Sequence, residues 1–173
     1  MYRIDRHDFP GIKDNREDLI VRDISKGYTT FEKSFDGLRF VLSKNQGEQE
    51  TELVQQIFYP ETFVGEVIDF ESIDLNNIPD DFNFDSNAIY YNEPSNVSRI
   101  AAFLENITIE KFKTLFDPDE LNEEGIYPGD IWNREIGEDI CFNELHMAEE
   151  FANLKTLFKI AADEGDYVFC FVG

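Results

Sequence analysis

The chain is 173 residues long and sets 15 Lys and Arg against 37 Asp and Glu, a formal charge of −22. That balance argues against a nucleic-acid ligand or an anionic membrane surface, because phosphate groups are met by a basic stripe. No apolar run approaches the roughly 18 residues of a membrane helix. The content is 42% hydrophobic and 14% aromatic, with 17 Phe, so the chain can fill one core without a disulfide framework.

Met1–Asp8 carries charges where a signal peptide needs its apolar stretch, so a cytoplasmic protein is expected. Within residues 1–22 a short strand at Tyr2–Ile4 is predicted, followed by irregular chain turned by Pro10-Gly11. From Thr30 to Ser43 the apolar residues Phe31, Phe35, Leu38 and Leu42 recur at helical spacing between Glu32, Lys33, Asp36 and Arg39, which predicts an amphipathic helix. Gly37 lies inside it at a cost of about 1 kcal/mol relative to Ala, so it either admits a close neighbour or marks a kink.

Residues 53–70 are rich in Val, Ile, Phe and Tyr and broken by Pro60 and Gly65, which predicts strands at Ile57–Tyr59 and Val67–Phe70. Residues 71–93 read as a long loop. After Pro94, the apolar residues Val97, Ile100, Ala101 and Leu104 predict a helix with Ser95 or Asn96 as its cap. A second helix follows, capped by Thr108 and buried through Ile109, Phe112, Leu115 and Phe116. Asp117-Pro118-Asp119-Glu120 then has the cap, the proline and the first-turn acids of a third start, with Gly125 at its end.

The longest predicted helix covers 143–164. Its stripe is Leu145, Ala148, Phe151, Leu154, Phe158 and Ala161, with Asn143 as cap and Gly165 in the left-handed position that closes helices. Tyr167–Val172 is an unbroken apolar run, predicting a terminal strand buried on both faces. Helices and strands are segregated along the chain. The expected fold is a single-domain α+β protein over 1–173, with a small mostly antiparallel sheet, helices packed on it, and a long C-terminal helix before the last strand.

Chemistry-bearing patterns are sparse. Asp81–Asn87 begins like a calcium loop, but Ser86 stands where Gly is needed and Asn92 where a bidentate Glu is needed. His7 and His146 cannot build a multi-histidine metal centre, and His146 is expected on a helix surface. No nucleophile elbow or phosphate loop occurs, and both Cys141 and Cys170 sit among apolar neighbours as reduced core thiols would. Neither metal nor cofactor is expected. Carboxylate pairs such as Asp80-Asp81 and Glu149-Glu150 carry little information in so acidic a chain.

One segment stands out: Gly125–Trp132 holds the only Trp, with Tyr127 and Pro128, and Arg134 follows. Trp132 and Tyr127 could plug the core, or rim a pocket or interface where Trp, Tyr and Arg are over-represented. Phe116-Asp117-Pro118, Ile126-Tyr127-Pro128, Ile131-Trp132 and Ile160–Gly165 resemble the YfbM-like family of bacterial proteins, whose biochemical role is not established. The block Lys33–Leu42 is similar to that family's Lys-x-Trp-x-x-Leu-His-x-Leu-Leu helix, with Phe35 for its Trp and Arg39 for its His. The resemblance covers about two thirds of the chain, implies a small cytoplasmic α+β fold, and brings no catalytic residues with it. The leading expectation is a non-enzymatic module whose acidic surface engages a basic protein, as an immunity-type protein would a cationic toxin. The rival is a small-molecule binder or hydrolase-type enzyme, with Asp36, Arg39, Tyr127, Trp132 and Arg134 as the candidate pocket or interface.

Overall fold

In a computed structural model of the chain, which describes residues 1–14, 18–31, 33–67, 88–137 and 140–171, the last strand is the centre of the sheet. The strands β1 (Tyr2–Ile4), β2 (Gly27–Tyr28), β3 (Phe63–Val64), β4 (Ile89–Asn92) and β5 (Tyr167–Cys170) lie in the order β2-β1-β5-β4-β3. All neighbours run antiparallel, with Arg3 opposite Val168 and Tyr91 opposite Phe169. Side chains of β5 alternate between two cores, as a period of two requires. Phe169 joins Ile4, Ile89 and Tyr91 on one face, and Val168 joins the larger helical core on the other. Burial on both faces is thus a property of central position, and the fold is the expected α+β arrangement.

The smaller face is covered by α1 (Phe9–Asp14) and α2 (Asp18–Ile24), where irregular chain was expected. Pro10 is tolerated there because a helix's first turn has no internal acceptor for its N–H groups. Phe9 stacks on Tyr167 at 4.1 Å, and Ile12 and Val21 are fully buried beneath the sheet.

The larger core is built by α3 (Phe35–Ser43), α4 (Glu48–Phe58), α5 (Pro94–Glu105), α6 (Ile109–Leu115), α7 (Pro118–Glu123) and α8 (Glu144–Glu164). Helix α3 starts five residues later than Thr30 because β2 and the extended residues after it hold the chain to β1, with the Thr29 N–H donating to the Met1 carbonyl. The predicted strand at Ile57–Tyr59 is instead the end of α4. Val54, Ile57 and Phe58 are buried at helical spacing, Glu48 and Glu50 occupy the first turn, and Tyr59 before Pro60 leaves the helical region. The predicted loop 71–93 contains β4 at its end, and Phe63–Val64 pairs with it. Residues 68–87, which include most of the Val67–Phe70 strand and the calcium-like Asp81–Asn87, lie outside the described residues.

Capping follows the sequence closely, with one change. Thr108 accepts from the Lys111 N–H, Asp117 from the Asp119 N–H and Asn143 from the His146 N–H. Gly165 is left-handed at φ 71°. For α5, however, Glu93 holds the cap position and Pro94 begins the helix, while Asn96 donates to the buried Asn92 at 2.6 Å. Helix α8 buries Met147, Phe151, Leu154, Phe158 and Ala161, and Phe151 stacks on Phe112 of α6 at 4.5 Å. Leu145, expected on that stripe, is exposed, while Met147 in the same first turn is fully buried and takes its place in the core.

Candidate functional site

The loop after α7 sends its two large aromatics in opposite directions. Gly125 and Gly129 are left-handed at φ 63° and 69°, and Asp130 is left-handed at φ 50°. The Ile126 N–H donates to the Leu121 carbonyl and the Gly129 N–H to the Ile126 carbonyl, so the loop closes on the end of α7.

Trp132 turns inward and is 4% exposed. Its Nε1–H donates to the Ile126 carbonyl at 2.9 Å, which satisfies the one polar atom of the ring. Asn122 clamps its backbone from both sides, accepting from the Trp132 N–H and donating to the Trp132 carbonyl. Gly37 of α3 is the reason the indole fits, because a Cβ there would stand 2.2 Å from Cη2. The glycine therefore admits a close neighbour.

Tyr127 turns outward and is 47% exposed. Its ring lies 6.2 Å from that of Phe35, at the mouth of a concavity of about 360 Å³. Tyr2, Phe31, Phe35, Phe58 and Phe171 supply further rings, and Arg22 and Lys33 supply charge. Tyr2 meets Phe171 edge-on at 5.4 Å and Phe31 meets Phe58 edge-on at 6.2 Å, so the walls brace one another. Cys170 closes the floor. Burial pushes its thiol up to about 12, and the S–H donates to the Ile57 carbonyl, so it is a packed thiol with no nucleophilic role at neutral pH. Cys141, expected in the core, is exposed: the chain turns at left-handed Phe142, which packs edge-on against Trp132 at 5.6 Å in its place.

Asp36 and Arg39 lie one turn apart on α3 and pair with each other at 3.2 Å. Arg39 also sits over the ring of Tyr59 at 5.8 Å, and burial followed by the nearby Asp36 charge raises the Tyr59 phenol. Arg134 projects to solvent and bridges Asp117 and Asp119 at the start of α7, whose hydrogen bond and charge raise its pKa. Of the five residues singled out from sequence, Tyr127 alone is among the described residues lining the pocket.

A buried polar chain was missed. Ser34 holds the N-cap position of α3 and is fully buried, but its hydroxyl makes no cap and donates instead to Glu150 of α8, which is 8% exposed. The other Glu150 oxygen lies 3.4 Å from Nε2 of His146, while His146 Nδ1 accepts from the Phe142 N–H. With Nδ1 accepting, Nε2 is the ring nitrogen turned toward the carboxylate. His146 is therefore half-buried and structural, where a surface position was expected. The order Ser–Glu–His does not activate a hydroxyl, since the serine faces the acid and never the base. The available signal was Glu150 on the stripe of Met147, Leu154 and Phe158, a charge at a core position.

A family described as a domain of unknown function, DUF1877, matches residues 4–171. The chain belongs to the DUF1877 family. Among solved structures, it is similar to YfbM from Escherichia coli, a protein of unknown function, with a TM-score of 0.60 and 13% identity over 97% of this chain and 94% of that one. At that identity the likeness shows a shared fold, as the resemblance at Phe116–Pro118 and Ile126–Trp132 implies. No curated protein matches the chain. Among the described residues of this DUF1877 protein, no group of three or more His, Cys, Asp or Glu converges as a metal site would. No described helix is long and apolar enough to cross a membrane.

Proposed function

We propose that this DUF1877 protein is a binding module that takes a small molecule in the aromatic pocket beside Tyr127. The observation that carries this reading is the pocket itself: about 360 Å³, walled by rings from α3 and the residues before it, α4, β1, the residue after β5 and the α7 loop. That size falls within the range of about 300–1,000 Å³ for ligand sites, near its lower end, and suits one ring system with a substituent. Support for binding without bond-making comes from the buried Cys170 thiol and the inward-facing Ser34, neither of which offers a nucleophile to a bound molecule. The test is a thermal-shift panel of small aromatic compounds on wild type and on a Phe35→Ala/Tyr127→Ala variant. Compounds that stabilise the wild type should lose most of that effect in the variant. A panel that stabilises neither, or both equally, contradicts the proposal.

A second reading is favoured by charge. Glu52, Glu61 and Glu93 line a shallower groove of about 230 Å³ with Arg99 as its cation, within a chain of formal charge −22. Such a surface suits a basic protein partner. Retention of a cationic protein at low salt and its release as salt is raised would support this reading, and no retention at either would end it.

A further inference from the structure

We infer that the pocket beside Tyr127 takes an organic anion with a flat apolar body, its charge held at the mouth between Arg22 and Lys33. This rests on the reading of the pocket as a ligand site and names the ligand's class. More than one residue in five of the chain is acidic, yet no carboxylate is among the described residues lining this pocket. Six of the other described cations are spent on the protein itself: Arg3, Lys26, Arg39, Lys44, Lys113 and Arg134 each sit in an ion pair. Arg22 and Lys33 both line the pocket and have no ion-pair partner among the described residues. Lys33 is moreover held left-handed at φ 66°, an uncommon backbone for a long side chain, directly before the buried Ser34 that anchors α3.

The rings set the rest of the ligand. Phe31, Phe35, Phe58 and Tyr127 offer faces and edges to a planar group, and at roughly 30 Å³ per water the volume equals about a dozen waters. That admits an aryl carboxylate or aryl phosphate and is too small for a dinucleotide. Carboxylate and phosphate share the chemistry the two cations read, so they are separated by experiment.

The full chain is titrated with 8-anilinonaphthalene-1-sulfonate and with N-phenyl-1-naphthylamine, which has the same rings without the sulfonate. Both fluoresce on entering an apolar site. In an Arg22→Gln/Lys33→Asn variant, where Asn keeps the left-handed backbone accessible, the sulfonate should bind about tenfold more weakly and the neutral amine as before. Arg22→Gln alone should give a smaller loss of the same sign, which preserves the test if the double variant folds poorly. Phenylphosphate and phenylacetate should displace the sulfonate, the tighter of them identifying the preferred anion, and benzyl alcohol should not. If the neutral amine binds the wild type and the variant leaves the sulfonate unchanged, or benzyl alcohol competes equally, the anion assignment is overturned and the pocket stands. If neither probe binds the wild type, the pocket reading falls with it.

Discussion

Tyr127 and Trp132 stand five residues apart in one loop, and the fold uses them in opposite ways. Trp132 has a glycine cut to its shape at Gly37, an acceptor for its N–H at Ile126 and both backbone groups held by Asn122. Tyr127 has a neighbouring ring at Phe35 and an open concavity beside it, with no hydrogen-bond partner for its hydroxyl among the described residues. An aromatic side chain whose every polar atom is satisfied inside the protein serves the core; one left half-exposed on a hollow is available to something else.

The contrast can be broken from the Trp132 side first. Trp132→Ala should cost about 3–5 kcal/mol, the range for losing a large buried aromatic, and lower the melting temperature by roughly 10 °C for a chain of this size. Glu150→Ala should cost about 2 kcal/mol, because the buried Ser34 hydroxyl loses its acceptor and α3 loses its anchor to α8. Glu150→Gln, which still accepts, should cost less. Gly37→Ala sets about 1 kcal/mol of improved helix propensity against an overpacking cost of about 1–3 kcal/mol. With 2.2 Å to a rigid, buried indole the clash wins, and denaturant melts should show a net loss. On the other side, Tyr127→Ala should change stability by less than about 1 kcal/mol while reducing ligand binding, which places it outside the core.

The smallest expected effect lies away from both aromatics. Asp5 and Glu164 have pKa values lowered first by their hydrogen bonds to Lys26. Their pairing therefore favours the fold above the ordinary carboxylate range, near about pH 4, and is lost as pH falls through the lowered values. Asp166, pushed upward by burial against the pull of Lys26 and Arg3, works in the other sense. The stability gap between wild type and Lys26→Met should be present at neutral pH and close in strong acid, as acid melts followed by circular dichroism would record.

How much of this was legible in the sequence varied with how local the cause was. Helix α8, its Asn143 cap, its Gly165 terminus and the buried strand β5 all follow from spacing and end chemistry within a few residues. The helices α1 and α2 were hidden because Pro10-Gly11 reads as a turn, and what makes them helices is the sheet face they cover. At α4, β-branched and aromatic residues favoured a strand locally, but Val54, Ile57 and Phe58 share one helical face and the core rewards that face. The Gly125–Trp132 loop announced itself by composition, and Gly37 by its cost, yet nothing in the sequence joined Gly37 to Trp132 across the fold. The pocket was less visible still. Tyr2, Arg22, Lys33, Phe58, Tyr127 and Phe171 come from β1, α2, the approach to α3, α4, the α7 loop and the residue after β5, and only the tertiary fold brings them together.

The most direct test of the division within the loop is the location of a bound probe by amide chemical-shift mapping of the full chain with 8-anilinonaphthalene-1-sulfonate. The largest shifts should fall at Phe31, Lys33, Phe35, Tyr127 and Phe171, with the Trp132 indole N–H unmoved. Shifts that spare those residues, or that move the indole N–H as far as Tyr127, would contradict it.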